Sequence, residues 1–150
     1  IHCPIWQQGD GTLDRRLERF FDRALNQSHC AIAIGADSPG LCPARLGAIR
    51  QILERCDAAV GPTDDGGYYA LGLSRCPQGL LSDVAWSSPQ TCEHTLESLQ
   101  RHGLSHEVAA PFFDIDHPKD LERLVNALSR GELHAPRTRA WLQENGQRVE

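Results

Sequence analysis

The 150-residue sequence contains no methionine, and only 6% of its residues are aromatic. No stretch approaches the roughly 20 consecutive apolar residues that a membrane-spanning helix requires, so no membrane partner is expected. Basic residues are outnumbered, 15 Lys plus Arg against 20 Asp plus Glu, leaving a formal net charge of −5. That balance gives no general attraction to nucleic acid, which is likewise not an expected partner. No two of the six cysteines, at positions 3, 30, 42, 56, 76 and 92, are separated by only two residues. Nor do they cluster with histidines at zinc-site intervals, so structural zinc is not expected and the thiols read as small buried groups in a reducing compartment. Residues 1–10 lack the basic start and apolar run of a signal peptide, which points to the cytoplasm. The chain opens on Ile1, so its start reads as a processed, disordered or truncated end. There is no GxxxxGK[ST] loop, no GxGxxG and no GxSxG elbow, which removes the direct case for an ATPase, a dinucleotide oxidoreductase or a serine hydrolase.

What is present is an alternation of helical and extended signals. Leu17, Phe20, Phe21, Ala24 and Leu25 follow a 3.6-residue period, predicting an amphipathic helix from Leu13 to near Gln27. Cys30 to Ile34 is a short, uncharged, isoleucine-rich run that suits a strand covered on both faces. Pro43 opens a second helix with Leu46, Ile49, Ile52 and Leu53 as its stripe, and Ala58 to Val60 supplies another strand. Residues 30–60 therefore read as a strand–helix–strand crossover. Tyr68 to Leu73 predicts a further strand, and Ser88-Pro89 a helix start closed by Gly103. Glu107 to Phe113 reads as an extended segment in which Pro111 suits an edge or a strand end better than a central position. Pro118 begins a helix with Leu121, Leu124, Val125 and Leu128 buried, and residues 129–150 form a helical tail with a last helix from Pro136 to Glu144. There is no repeat or interdomain linker, so residues 1–150 read as a single α/β domain.

Ligands of parallel α/β sheets collect at the carboxyl ends of strands, which selects three loops. They are Gly35-Ala-Asp37-Ser-Pro-Gly40, Gly61-Pro-Thr-Asp-Asp-Gly-Gly67 and Asp114-Ile-Asp116-His-Pro118. Carboxylates brought together from such loops suit a hard divalent ion such as Mg²⁺ or Mn²⁺, which would bridge protein acids to a substrate diphosphate. Taken singly, Asp37 reads as a metal ligand or as a turn former, and Asp116 as a ligand or as the cap of the following helix. Gly66 and Gly67 either expose amide donors to a sugar hydroxyl or phosphate or form a tight hairpin turn. Trp86 and Ser87, ahead of a helix, offer a surface for an acceptor or sugar ring, or lock their loop. His117 reads as a general base or a solvent-facing helix-start residue.

At these loops the sequence resembles the domain-of-unknown-function 2064 family, bacterial A-type glycosyltransferase-like proteins also described as radical-SAM/selenodomain-associated transferases. The blocks that carry the likeness are Gly35-Ala-Asp-Ser-Pro39, Gly61-Pro-Thr-Asp-Asp-Gly-Gly-Tyr-Tyr-Ala-Leu-Gly-Leu73, Trp86-Ser-Ser-Pro89 and Asp114-Ile-Asp-His-Pro-Lys-Asp-Leu121, spanning residues 7–128. The resemblance implies a three-layer nucleotide-diphospho-sugar transferase-like fold with a mostly parallel sheet. It matches the family's carboxyl two thirds, since neither the usual first strand nor a Pro-Gly-x-x-Lys-Thr-Arg loop precedes Trp6, and the first nucleotide-binding unit is thus expected to be missing. By the same likeness Asp37 and Asp116 hold a metal, Gly35, Asp37, Gly66, Gly67, Trp86 and Ser87 face the nucleotide sugar, and Asp65 orients or deprotonates the acceptor. His117 stands where the family tends to place Thr. The implied function is metal-dependent transfer of a sugar from a nucleotide diphosphate sugar to an unknown small-molecule acceptor. Two alternatives stay open: a related nucleotidyltransferase, and a noncatalytic domain whose exposed sheet edge is covered by a second copy or another partner.

Overall fold

In a computed structural model, residues 4–146 are described, so Cys3 and the last four residues of the expected tail lie outside the described part. The elements run α1 (Leu13–Leu25), β1 (Ala31–Ile34), α2 (Pro43–Leu53), β2 (Ala58–Pro62), β3 (Tyr68–Leu73), α3 (Thr91–Arg101), β4 (His106–Val108), α4 (Pro118–Ser129) and α5 (Pro136–Glu144). Among the described residues no helix is long and apolar enough to cross a membrane.

The four strands form one sheet in the order β1-β3-β2-β4. Strand β3 is antiparallel to both β1 and β2, and only β2 and β4 are parallel. The expectation of a mostly parallel sheet is therefore wrong, and the reason lies in chain length. Five residues, 63–67, separate β2 from β3, whereas a parallel return needs a crossover of a dozen or more. The pair must be a hairpin, which is the alternative reading of Gly66-Gly67. Strands β1 and β2 do run in the same direction across α2, but the returning β3 is inserted between them. The long extended segment expected at residues 107–113 shortens to β4, continued only by a parallel bridge between Thr63 and Phe112.

Helices cover both faces. On one, Phe21 of α1 and Leu99 of α3 pack with Val60, Leu71, Leu73, Leu80 and Leu81. On the other, Ile49 and Ile52 of α2, Leu124 and Leu128 of α4 and Leu142 of α5 pack with Ala59, Tyr69 and Ala70. Each fully buried Leu, Ile or Phe contributes about 1.5–3 kcal/mol by leaving water. A register shift at Gly61/Pro62 places Pro62 opposite Tyr68 and Gly61 opposite Ala70. The extra residue in β3 is Tyr69, a bulge that sends Tyr68 to the first face and Tyr69 to the second. The ring of Tyr69 lies where a Cβ on residue 61 would overlap it, so Gly61 is required.

Candidate functional site

The carboxyl ends of β1 and β2 lie at the same end of the sheet, and the loops that leave them meet there. A cleft of about 620 Å³ is lined by Gly35 and Asp37 from the loop after β1, and by Asp65 and Gly67 from the hairpin. Tyr68, Trp86 and Ser87 form its aromatic and hydroxyl wall, Asp114 and Asp116 come from the segment before α4, and Leu13, Leu17 and Ile34 close its apolar side. Of the residues expected to form the site, Gly66 is absent from this lining, as is the candidate base His117, which is exposed at the start of α4.

The hairpin loop fixes its two acids in different directions. Asp64 pairs with Arg123 of α4 at 2.5 Å, and that guanidinium also lies 4.1 Å over the Phe113 ring. Asp65 turns to the cleft. Its Oδ1 accepts from the Thr63 hydroxyl at 2.5 Å and from the Gly67 amide at 3.0 Å. The Thr63 hydroxyl, more than any other group, holds the Asp65 carboxyl below its usual range, against partial burial that acts in the opposite sense. The Gly66 amide donates to the Thr63 carbonyl, its own carbonyl accepts from the Cys92 amide, and a Cβ there would overlap the Pro89 carbonyl. With φ at +92° as well, position 66 accepts glycine on two independent counts. Both glycine amides are thus used inside the loop.

The segment before α4 contributes a Asp-x-Asp pair. Residues two apart on an extended chain point the same way, which brings Asp114 and Asp116 to one side. Capping of α4 is done by Asp120, whose Oδ2 accepts from the amides of His117 at 2.8 Å and Asp116 at 3.3 Å. The Asp116 carboxylate is therefore not consumed as a cap. One oxygen each from Asp65, Asp114 and Asp116 lies within 4.8 Å of the others. Asp37 is not in that group; its loop joins the segment through the Ile115 amide, which donates to the Asp37 carbonyl at 3.0 Å. The Asp114 carboxyl is pushed above its usual range, first by burial and then by the charges of Asp65, Asp116 and Asp37. Asp114 was not singled out from the sequence, and the signal for it was its spacing of two from Asp116.

Trp86 is half-buried. Its indole N–H donates to the Leu81 carbonyl at 3.3 Å and its ring meets Tyr68 edge-on at 6.3 Å, so it locks the loop while one side borders the cleft. Burial pushes the Tyr68 phenol well above its usual range. Ser87 has φ of 55°, a left-handed conformation unusual outside glycine, and is exposed at the rim. The Ser88 hydroxyl donates to the Ala85 carbonyl and accepts from the Gln90 amide. Helix α3 consequently starts at Thr91, two residues beyond the proline that marked its expected start.

The donor set is chemically that of a hard divalent ion, three carboxylate oxygens lying within 4.8 Å of one another. Four carboxylates line the cleft and no Lys or Arg does among the described residues, so an anionic ligand entering alone meets only repulsion.

Residues 2–88 match the family described as "Uncharacterized protein conserved in bacteria (DUF2064)". This corrects the expected extent, since the match is confined to the amino-terminal portion rather than running to residue 128 or corresponding to the carboxyl two thirds of the family. It contains Gly35, Asp37, Asp65, Gly66, Gly67, Trp86 and Ser87 and leaves Asp114 and Asp116 outside. No curated protein matches the chain. Among solved structures, the chain is similar to a protein of Desulfovibrio desulfuricans G20 provisionally described as a nucleotide-diphospho-sugar transferase, with 26% identity and a TM-score of 0.66. The likeness covers 73% of this chain and 48% of that one, so the chain spans about half the length of its structural relative.

Proposed function

Because the chain belongs to the bacterial DUF2064 family and is similar in fold to a protein provisionally described as a nucleotide-diphospho-sugar transferase, we propose that its cleft serves metal-dependent sugar transfer from a nucleotide diphosphate sugar to a small hydroxyl-bearing acceptor. The observation that carries this reading is the convergence of Asp65, Asp114 and Asp116 on one cleft that, among the described residues, no cationic side chain lines. Such a cleft favours a diphosphate only together with a divalent cation.

In this reading Asp65, Asp114 and Asp116 hold Mg²⁺ or Mn²⁺, oxygen-seeking ions that suit carboxylates and diphosphates alike. When bound, the ion neutralises charge that develops on the departing diphosphate. The chain's own residues do the rest. Asp37 lies outside the ligand group and among the described residues has no side-chain hydrogen-bond partner, so it is the carboxylate available to orient an acceptor hydroxyl and take its proton. This reverses the roles that the family resemblance implies for Asp37 and Asp65. The depressed Asp65 carboxyl makes a better ligand than base. Trp86 and Tyr68 give an apolar wall against which a sugar ring can lie, and Ser87 at the rim offers a hydroxyl.

Calorimetry with a panel of nucleotide diphosphate sugars, with Mn²⁺ and then with a chelator, tests this. Binding is expected only with the metal, weakened at least about tenfold in Asp116→Asn, and mass spectrometry of reaction mixtures identifies whether the sugar or the nucleotidyl group moves. Equal binding with and without metal would reject the reading.

A further inference from the structure

The three acids of the proposed ion site come from two loops that do not adjoin in sequence, and Thr63 is where those loops are tied. Its backbone forms the parallel bridge to Phe112, two residues ahead of Asp114, and the neighbouring Pro62 carbonyl accepts the Phe112 amide at 3.0 Å. Its amide donates to the Gly67 carbonyl at 3.0 Å, closing the hairpin, and its hydroxyl donates to Asp65 Oδ1. The side chain is only 6% exposed, so this hydroxyl is not exchanged for water at low cost. Gly67 completes the arrangement: a Cβ at that position would come within 3.0 Å of the Thr63 hydroxyl oxygen and 3.3 Å of Asp65 Oδ1.

We propose that Thr63 is a positioning residue for the divalent ion. With Oδ1 of Asp65 occupied by two donors, the carboxylate plane is fixed and Oδ2 is the oxygen left to ligate. The same residue sets the height of the hairpin against the segment bearing Asp114 and Asp116. An ion bound by the three acids would then depend on a hydroxyl it never touches, as ligating carboxylates commonly depend on their outer hydrogen bonds. This rests on the reading of the cleft given above, and the test separates the two.

Mn²⁺ alone is titrated into the full chain and followed by electron paramagnetic resonance of the free ion, for the wild type, Thr63→Val, Thr63→Ser and Asp116→Asn. Thermal melts of each confirm folding. The expected result is one site in the wild type, a dissociation constant raised about 10- to 100-fold in Thr63→Val, and near-wild-type affinity in Thr63→Ser, which restores the hydroxyl. Thr63→Ala serves the same comparison should the valine not fold. Unchanged affinity in Thr63→Val overturns the positioning role while leaving the ion site intact. Equal weakening in the Val and Ser variants also overturns it, because the hydroxyl would then not be what matters. Absence of wild-type binding, or binding insensitive to Asp116→Asn, overturns the ion site itself and the positioning role with it.

Discussion

Replacing Asp114 with Asn should stabilise the metal-free protein and at the same time abolish its response to Mn²⁺. Oxygens of Asp65 and Asp116 lie within 4.8 Å of an Asp114 oxygen. At that distance each like-charge pair costs about 0.9 kcal/mol in bulk water and about 3.5 kcal/mol at an effective dielectric constant of 20. Asp65 and Asp116 are exposed and Asp114 is half-buried, so the lower figure governs, and two pairs give a gain of about 1–2 kcal/mol. The sign agrees with the titration behaviour. The folded-state pKa of Asp114 is raised, so the folded protein binds a proton more readily than the unfolded chain. Stability is therefore lost as pH rises from the ordinary value of 3.8 through the raised one, and at neutral pH the whole cost is present. For a chain of this length, 1–2 kcal/mol corresponds to a rise in Tm of about 3–6 °C. Wild-type protein at a Mn²⁺ concentration 100 times the dissociation constant gains about 2.7 kcal/mol, and the variant should gain almost none. Differential scanning calorimetry at pH 7, with and without Mn²⁺, measures both effects. A variant that melts lower than the wild type without metal would show that these acids do not repel one another, and one that keeps the full metal-induced shift would show that Asp114 does not share the ion.

Two other substitutions probe the frame around the cleft. Gly66→Ala must place a Cβ on the Pro89 carbonyl and adopt φ near +92°, so urea denaturation should show a loss of about 2–4 kcal/mol; a loss under 1 kcal/mol would mean that the turn ahead of α3 yields freely. Asp57 is held at a pKa of about 2, below the ordinary 3.8, by the Arg75 guanidinium and then by the Ser105 amide. Its stabilisation is present above about pH 4 and lost as pH falls toward 2, so acid unfolding followed by circular dichroism should be less steep in Asp57→Asn, and identical acid midpoints would assign the transition to other groups.

The helices were legible because their periodic stripes and punctuating residues agree. Helix α1 starts at Leu13 and ends two residues before the expected stop, α2 and α4 begin at Pro43 and Pro118 as their prolines signal, and α5 spans Pro136–Glu144. Strand β3 occupies the expected Tyr68–Leu73. Strand order was not legible from periodicity, because Val60, Leu71 and Leu73 are buried whether their neighbours run parallel or antiparallel. The missed signal was the loop length, since five residues between β2 and β3 admit a hairpin and nothing else. The same loop length decides between the two readings of Gly66-Gly67: they form the hairpin turn, with their amides donating to the Thr63 carbonyl and to Asp65. That Asp65 groups with Asp114 and Asp116 while Asp37 does not depends on the Thr63 to Phe112 bridge, a tertiary contact with no local signature.

The arrangement of charge around the cleft bears on why four acids persist there. Each acid's loop is secured by groups that do not neutralise it. Asp120 caps α4 in place of the Asp116 carboxylate, the Ile115 amide secures the backbone rather than the carboxylate of Asp37, and the guanidinium of Arg123 is committed to Asp64 and the face of Phe113. Had Arg123 paired with Asp65 instead, the cleft would carry less repulsion. The repulsion is thus left standing by the fold, confined to residues whose backbones are held by the hairpin, the bridge and the helix cap. A divalent cation held between these carboxylates would relieve that repulsion, and so would bind more favourably than to the same acids already paired with an arginine.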